Sequence, residues 1–112
     1  MHLFDMHCHL ELMANGEDVA QQAKSCELTL LDTGVLPSEF ETEQRRHASN
    51  DSVYVACGLH PWWVTDTLKD SEIEQLIERA RSYPLIGEVG LDFSNAHAQY
   101  AARQIRVFER LV

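Results

Sequence analysis

Short apolar runs closed by glycine or proline alternate along this chain with stretches whose apolar residues recur every three or four positions. The first pattern is that of strands and the second that of amphipathic helices. Leu3 and Phe4 open an apolar start that runs through Asp5-Met6-His7-Cys8-His9-Leu10, read as a short first strand. Val19, Ala20, Ala23 and Cys26 then predict a helix over Glu17–Glu27, and Leu28–Thr33, closed by Gly34 and Pro37, a second strand. Ser38 and Glu41 have capping-box spacing and open a helix over Glu39–Ala48. Its apolar face is essentially Phe40 and Ala48, so it is expected to be well exposed. Val53–Gly58 is a β-branched third strand, and Pro61 makes the following Leu59–Trp63 a loop by disfavouring helical backbone at His60. Ser71 and Glu74 form a second capping pair before a helix that turns Ile73, Leu76, Ile77 and Ala80 to one side. Pro84 introduces a fourth strand, Leu85–Leu91, and a last helix over Ala96–Val112 aligns Ala98, Ala101, Ala102, Ile105, Phe108 and Val112.

Four strands alternating with four helices predict parallel β/α units, whose functional groups gather at the carboxyl ends of the strands. The residues with chemistry obey that rule. His7 and His9 close the first strand, His60 follows the third, and Glu88 and Asp92 close the fourth. Side chains alternate along a strand, so His7 and His9 share a face and can reach one metal ion together. Asp5, one step back on that face, could orient a ring through its second nitrogen. Cys8 points the other way, which disfavours a mixed Cys/His zinc finger. Taken alone, the pair also reads as ordinary polar histidines near a chain start.

Glu88 sits within an apolar strand, and an unpaired buried carboxylate is costly. None of the four strands supplies a lysine or arginine to pair with it. A cation is the better partner, and two imidazoles with a carboxylate suit zinc, manganese or a similar divalent ion.

Composition bounds what these residues belong to. A chain of 112 residues, 45% hydrophobic and 24% charged, is expected to be one globular domain. Its net charge of −9, from 18 acidic against 9 basic residues, argues against a broad basic surface gripping a nucleic-acid backbone. It does not exclude a phosphate substrate, because bound divalent cations bring their own positive charge. Cys8, Cys26 and Cys57 have no metal-type spacing and read as free thiols in a reducing cytosol. There is no membrane-length apolar run and no signal-like start, so the expectation is a cytoplasmic protein without membrane contact.

Three blocks resemble the TatD-like metal-dependent hydrolases: Phe4-Asp5-Met6-His7-Cys8-His9-Leu10, Gly58-Leu59-His60-Pro61 and Ile86-Gly87-Glu88-Val89-Gly90-Leu91-Asp92-Phe93. A weaker fourth runs from Gln104 through Phe108 to Leu111. The resemblance implies a (β/α)8 barrel of the amidohydrolase type, with divalent metals at the strand ends and deoxyribonuclease activity on phosphodiesters. It implies that His7, His9 and Glu88 are metal ligands, Glu88 bridging two ions, and that His60 faces substrate phosphate. Zinc, manganese and magnesium are not distinguished. Such barrels run to about 250 residues, so residues 1–112 resemble an amino-terminal half of about four β/α units, without a separate second domain. The family's later metal ligands and its aspartate, the partner of the attacking water, have no counterpart here. Asp92 could substitute as a nearby carboxylate, although its place in the motif fits a structural role equally well. The expected partners are DNA or another phosphodiester, and a complementary half-barrel or second copy; the alternative function is a non-catalytic half-barrel that binds metal or a complementary chain. A phosphotriesterase or amidase of the wider superfamily would place a lysine where Glu88 stands.

Overall fold

The computed structural model describes residues 1–112. Three parallel strands, β1 (Leu3–Cys8), β2 (Leu28–Thr33) and β3 (Val53–Ala56), form a sheet in the order β1-β2-β3. Helix α1 (Gly16–Ser25) links the first two strands and α2 (Phe40–His47) the next two. Parallel neighbours need such crossovers, which cover the sheet and bury its middle strand. Leu30, Asp32 and Thr33 of β2 are accordingly buried, whereas β1 is an edge strand exposed up to Cys8. Between β1 and β2 the register runs Leu3 to Leu28 and Asp5 to Leu30, then slips so that Cys8 meets Asp32. The irregularity falls at the step that carries His7.

The core gathers Ala20 and Ala23 of α1, Leu30, Val53 and Val55 of the sheet, Phe40 of α2 and Ile73, Leu76 and Ile77 of α3 (Asp70–Ala80). Neither expected capping box forms. Helix α2 starts at Phe40 after Glu39, with no side-chain cap. Helix α3 starts at Asp70, one residue before the expected cap Ser71; the Lys69 N–H donates to the Glu72 carboxylate at 3.2 Å. The thin apolar face of α2 was expected to leave it exposed, yet Phe40, Glu43 and His47 are all buried. The face turned inward is one that carries charge, and α2 docks beside β3 on it.

The largest departure is at Leu85–Leu91, which is not a strand. Only Ile86 bridges to Cys57, beyond the end of β3. The Cys57 N–H donates to Leu85 O at 3.0 Å and the Gly87 N–H to Cys57 O at 3.0 Å, after which the segment turns across the sheet end. There the Gly34 N–H donates to Gly87 O at 2.8 Å, the Glu88 N–H to Gly34 O at 3.1 Å and the Leu59 N–H to Glu88 O at 2.8 Å. Backbone pairing with two segments at once replaces the regular ladder. The approach requires glycine at position 58, where an added Cβ would lie 2.2 Å from Gly87 O and Glu88 N.

The final helix is also shorter than expected. A 3-10 turn at Ala98–Tyr100 precedes α4 (Ala101–Leu111), which buries Gln104 and Val107 and leaves Ile105 and Val112 exposed. Gln104 is the reason for that orientation. Its Nε2 donates to Asp92 O at 2.9 Å and its Oε1 accepts the Asp92 N–H at 2.8 Å, so one amide satisfies both backbone groups. No helix is long and apolar enough to cross a membrane.

Candidate metal centre

At the carboxyl end of β1 the two imidazoles turn to one point, with His7 Nε2 3.1 Å from His9 Nε2. Glu88 Oε2, arriving from the turned segment, lies 3.3 Å from the first and 3.2 Å from the second. An ion with bonds of about 2.0–2.2 Å at tetrahedral angles holds its ligand atoms about 3.3–3.6 Å apart. The triangle is therefore close to the size a divalent cation needs. Glu88 Oε2 is buried and has no hydrogen-bond partner, a state that buried polar atoms rarely keep unless something else satisfies them.

The tautomer of His9 follows from its second nitrogen. His9 Nδ1 lies 2.9 Å from the Thr33 carbonyl, which can only accept, so Nδ1 carries the proton and Nε2 presents its lone pair to the common point. This orienting role was expected of Asp5. Asp5 instead accepts the His7 backbone N–H through Oδ1 at 3.0 Å, fixing the chain rather than a ring. Glu11 Oε1 lies 3.7 Å from His9 Nδ1; burial pushes the Glu11 carboxyl up to about 7, and the nearby Asp32 charge adds to the rise.

His60 reaches the same carboxylate from the other side, its Nε2 3.5 Å from Glu88 Oε1. The Trp62 N–H donates to His60 Nδ1 at 3.2 Å, which leaves the proton of a neutral ring on Nε2, toward Glu88. Burial lowers the His60 pKa, with the Glu88 charge acting in opposition. The neutral, donating ring is thus the form favoured near neutral pH.

Asp92 stands at the rim but is engaged elsewhere. Its Oδ1 accepts the Ser94 N–H at 2.8 Å and its Oδ2 accepts the Trp62 indole N–H. The Ser94 hydrogen bonds, assisted by the indole, hold its carboxyl down at about 2, which makes it a weak proton acceptor. Trp62 in turn stacks on His97, with ring centroids 5.3 Å apart and planes 9° from parallel, and on Trp63 at 6.5 Å and 13°. The Thr33 carbonyl and this aromatic rim were not legible beforehand. A backbone carbonyl leaves no residue-type signal, and His97 meets Trp62 only through the fold.

The fold is a β/α segment of the TIM-barrel type, with His7, His9, His60 and Glu88 gathered at the strand ends. The profile of TatD related DNases matches residues 4–112, and the chain belongs to that family. Its structure is similar to the crystal structure of YJJV, a TatD homolog from Escherichia coli K12. That similarity has a TM-score of 0.79 at 23% identity, and covers 97% of this chain and 44% of that one. The chain thus spans less than half the length of that homolog. No curated protein matches the chain significantly.

Proposed function

We propose that residues 1–112 supply the amino-terminal half of a TatD-type (β/α)8 barrel that hydrolyses phosphodiester bonds, most simply those of DNA. The observation that carries this reading is the convergence of His7, His9 and Glu88 on one point, 3.1–3.3 Å apart, with Glu88 Oε2 otherwise unpartnered. These three residues are the proposed metal ligands, and the family's dependence on metal makes a divalent ion the natural occupant. Such an ion supplies Lewis-acid polarisation of a phosphoryl oxygen and of water. The protein's own groups do the positioning. Thr33 holds His9 in its ligating tautomer, and His60 offers an N–H donor beside Glu88, suited to a phosphate oxygen. Trp62 and Trp63 stay partly exposed despite their stacking, leaving aromatic surface against which unpaired bases can stack, a contact worth about 1–3 kcal/mol per base. A cytoplasmic location fits the three free cysteines.

Residue 92 is not assigned as the general base, because its oxygens are engaged by the Ser94 N–H and the Trp62 indole. The chain alone is therefore expected to cleave DNA slowly or not at all with added zinc, manganese or magnesium, while binding single-stranded DNA in a Trp62-dependent way. Gel assays of cleavage and anisotropy titrations of Trp62→Ala check both halves. Robust metal-dependent turnover lost on His7→Ala would contradict the half-site reading, and DNA binding indifferent to both metal and Trp62 would contradict the substrate.

The alternative, a half-barrel that pairs with a complementary chain or a second copy, draws on one specific observation. Leu3, Phe4 and Met6 of edge strand β1 are exposed, at 51%, 64% and 66%. Unpaired edges and apolar faces favour association. Sedimentation velocity over a range of concentrations is expected to show self-association; a single monomeric species at all concentrations would rule this out.

A further inference from the structure

A second set of ligand-type groups lies inside the protein, on the helix side of the sheet. Asp32 of β2 is 1% exposed, and Glu43 and His47, one turn apart on α2, are each 6% exposed. Their ligand atoms all lie within 4.8 Å of one another. Asp32 Oδ1 accepts the Leu10 N–H at 2.8 Å, but Asp32 Oδ2 has no partner. His47 Nε2 has none either; Glu43 Oε2 lies 3.6 Å from it. Both oxygens of Glu11, beside this group, are buried and unpartnered as well.

Charge makes the arrangement costly as it stands. Glu11, Asp32, Glu39 and Glu43 line a small, partly enclosed cavity of about 10 Å³, near the size of one water or one ion. Arg46 is the one cation paired there, its NH1 2.8 Å from Glu43 Oε1. Burial raises the carboxyls of Glu11 and Glu39, but a single guanidinium still does not offset both Asp32 and Glu43, and buried charges persist when paired or bound to metal. From these residues we infer a second, buried divalent-cation site held by Asp32, Glu43 and His47, separate from the His7/His9/Glu88 point. One imidazole and two carboxylates select an ion of the zinc or manganese type over calcium or magnesium, which prefer all-oxygen shells. Ligand atoms on a tetrahedral ion with 2.0–2.2 Å bonds are about 3.3–3.6 Å apart. Glu43 and His47 already have that spacing at 3.6 Å, and loading draws Asp32 toward them by up to about an ångström or slightly more, from a spread within 4.8 Å. The ion has a way in: a surface cavity of about 300 Å³ reaches Glu11, Arg46 and His47 from outside. Its role is structural, tying α2 to the central strand.

The test uses zinc and the chain with His7 and His9 both replaced by alanine. That variant is expected to bind about one zinc, to melt at higher temperature with zinc than with chelator, and to show a zinc-induced shift of the His47 Nε2 resonance in nitrogen NMR. Adding Asp32→Asn, or separately Glu43→Gln, should weaken this binding by about 100-fold or more, since even residues behind a ligand are worth 10–100-fold. The NMR readout needs no change at position 47 and decides the matter if those variants fold poorly. Zinc saturation of the unaltered chain that moves the His7 and His9 resonances but leaves His47 unmoved would overturn the site. So would a His7/His9 variant that takes up no zinc, in which case protons alone neutralise the cluster.

Discussion

Replacing His9 with alanine is expected to weaken zinc binding at the His7/His9/Glu88 point by about 100-fold or more, read from the zinc dependence of the His7 ring-nitrogen resonance. The loss removes one of three converging atoms and also the ring that Thr33 O holds 2.9 Å from Nδ1. Partners behind a ligand are worth about 10–100-fold in affinity, and a ligand itself at least as much. Glu88→Gln should fall in the same range, because it removes the negative oxygen that lies 3.2–3.3 Å from both imidazoles. His60→Ala is expected to change zinc affinity by less than about tenfold, since His60 faces the other Glu88 oxygen at 3.5 Å and donates rather than ligates. An unchanged His7 titration in His9→Ala would show that the two rings do not share an ion.

The second large effect is on stability. Gly58→Ala is expected to destabilise the fold by about 3 kcal/mol or more, at the upper end of overpacking costs. An alanine Cβ would meet Gly87 C, Gly87 O and Glu88 N, each at 2.2 Å. These are backbone atoms, tied by the Gly34 and Leu59 hydrogen bonds, so they cannot swing aside as a side-chain tip could. Relief comes only by moving the turned segment, which carries Glu88 away from the histidines. The same substitution should therefore weaken zinc binding, and urea unfolding monitored beside a zinc titration tests both. A loss below about 0.5 kcal/mol, the range of an ordinary surface change, would mean that the segment packs more loosely than the structure shows.

Much of this was legible in local pattern. Leu28–Thr33 forms a strand with the expected bounds, because a buried central strand is apolar, β-rich and bracketed by a sharp change of composition. His7 and His9 could be placed on one face from their spacing alone, and Glu88 was conspicuous for lacking a basic partner. Longer-range choices were not legible. Leu85–Leu91 has a strand's composition, but its hydrogen bonds go to Gly34, Cys57 and Leu59, residues far away in the chain. The inward face of α2 contradicts hydrophobic periodicity, since it buries Glu43 and His47 against Asp32 from another element. The last helix behaves alike: its apolar stripe suggested Ile105 and Phe108, whereas the hydrogen bonds of Asp92 called Gln104 inward. Periodicity sees one element at a time, and each of these residues is placed by a partner on another.

The stacked rim carries a spectroscopic consequence. The chain has two tryptophans, adjacent in sequence and both against His60, with ring centroids 5.0 and 5.5 Å from it. Every tryptophan photon the protein emits thus originates at one corner, the mouth of the His7/His9/Glu88 point. Emission is a local gauge of that corner and nearly blind to the sheet, whose secondary structure is followed by circular dichroism. If emission changes before circular dichroism during unfolding, the rim has opened before the body of the fold.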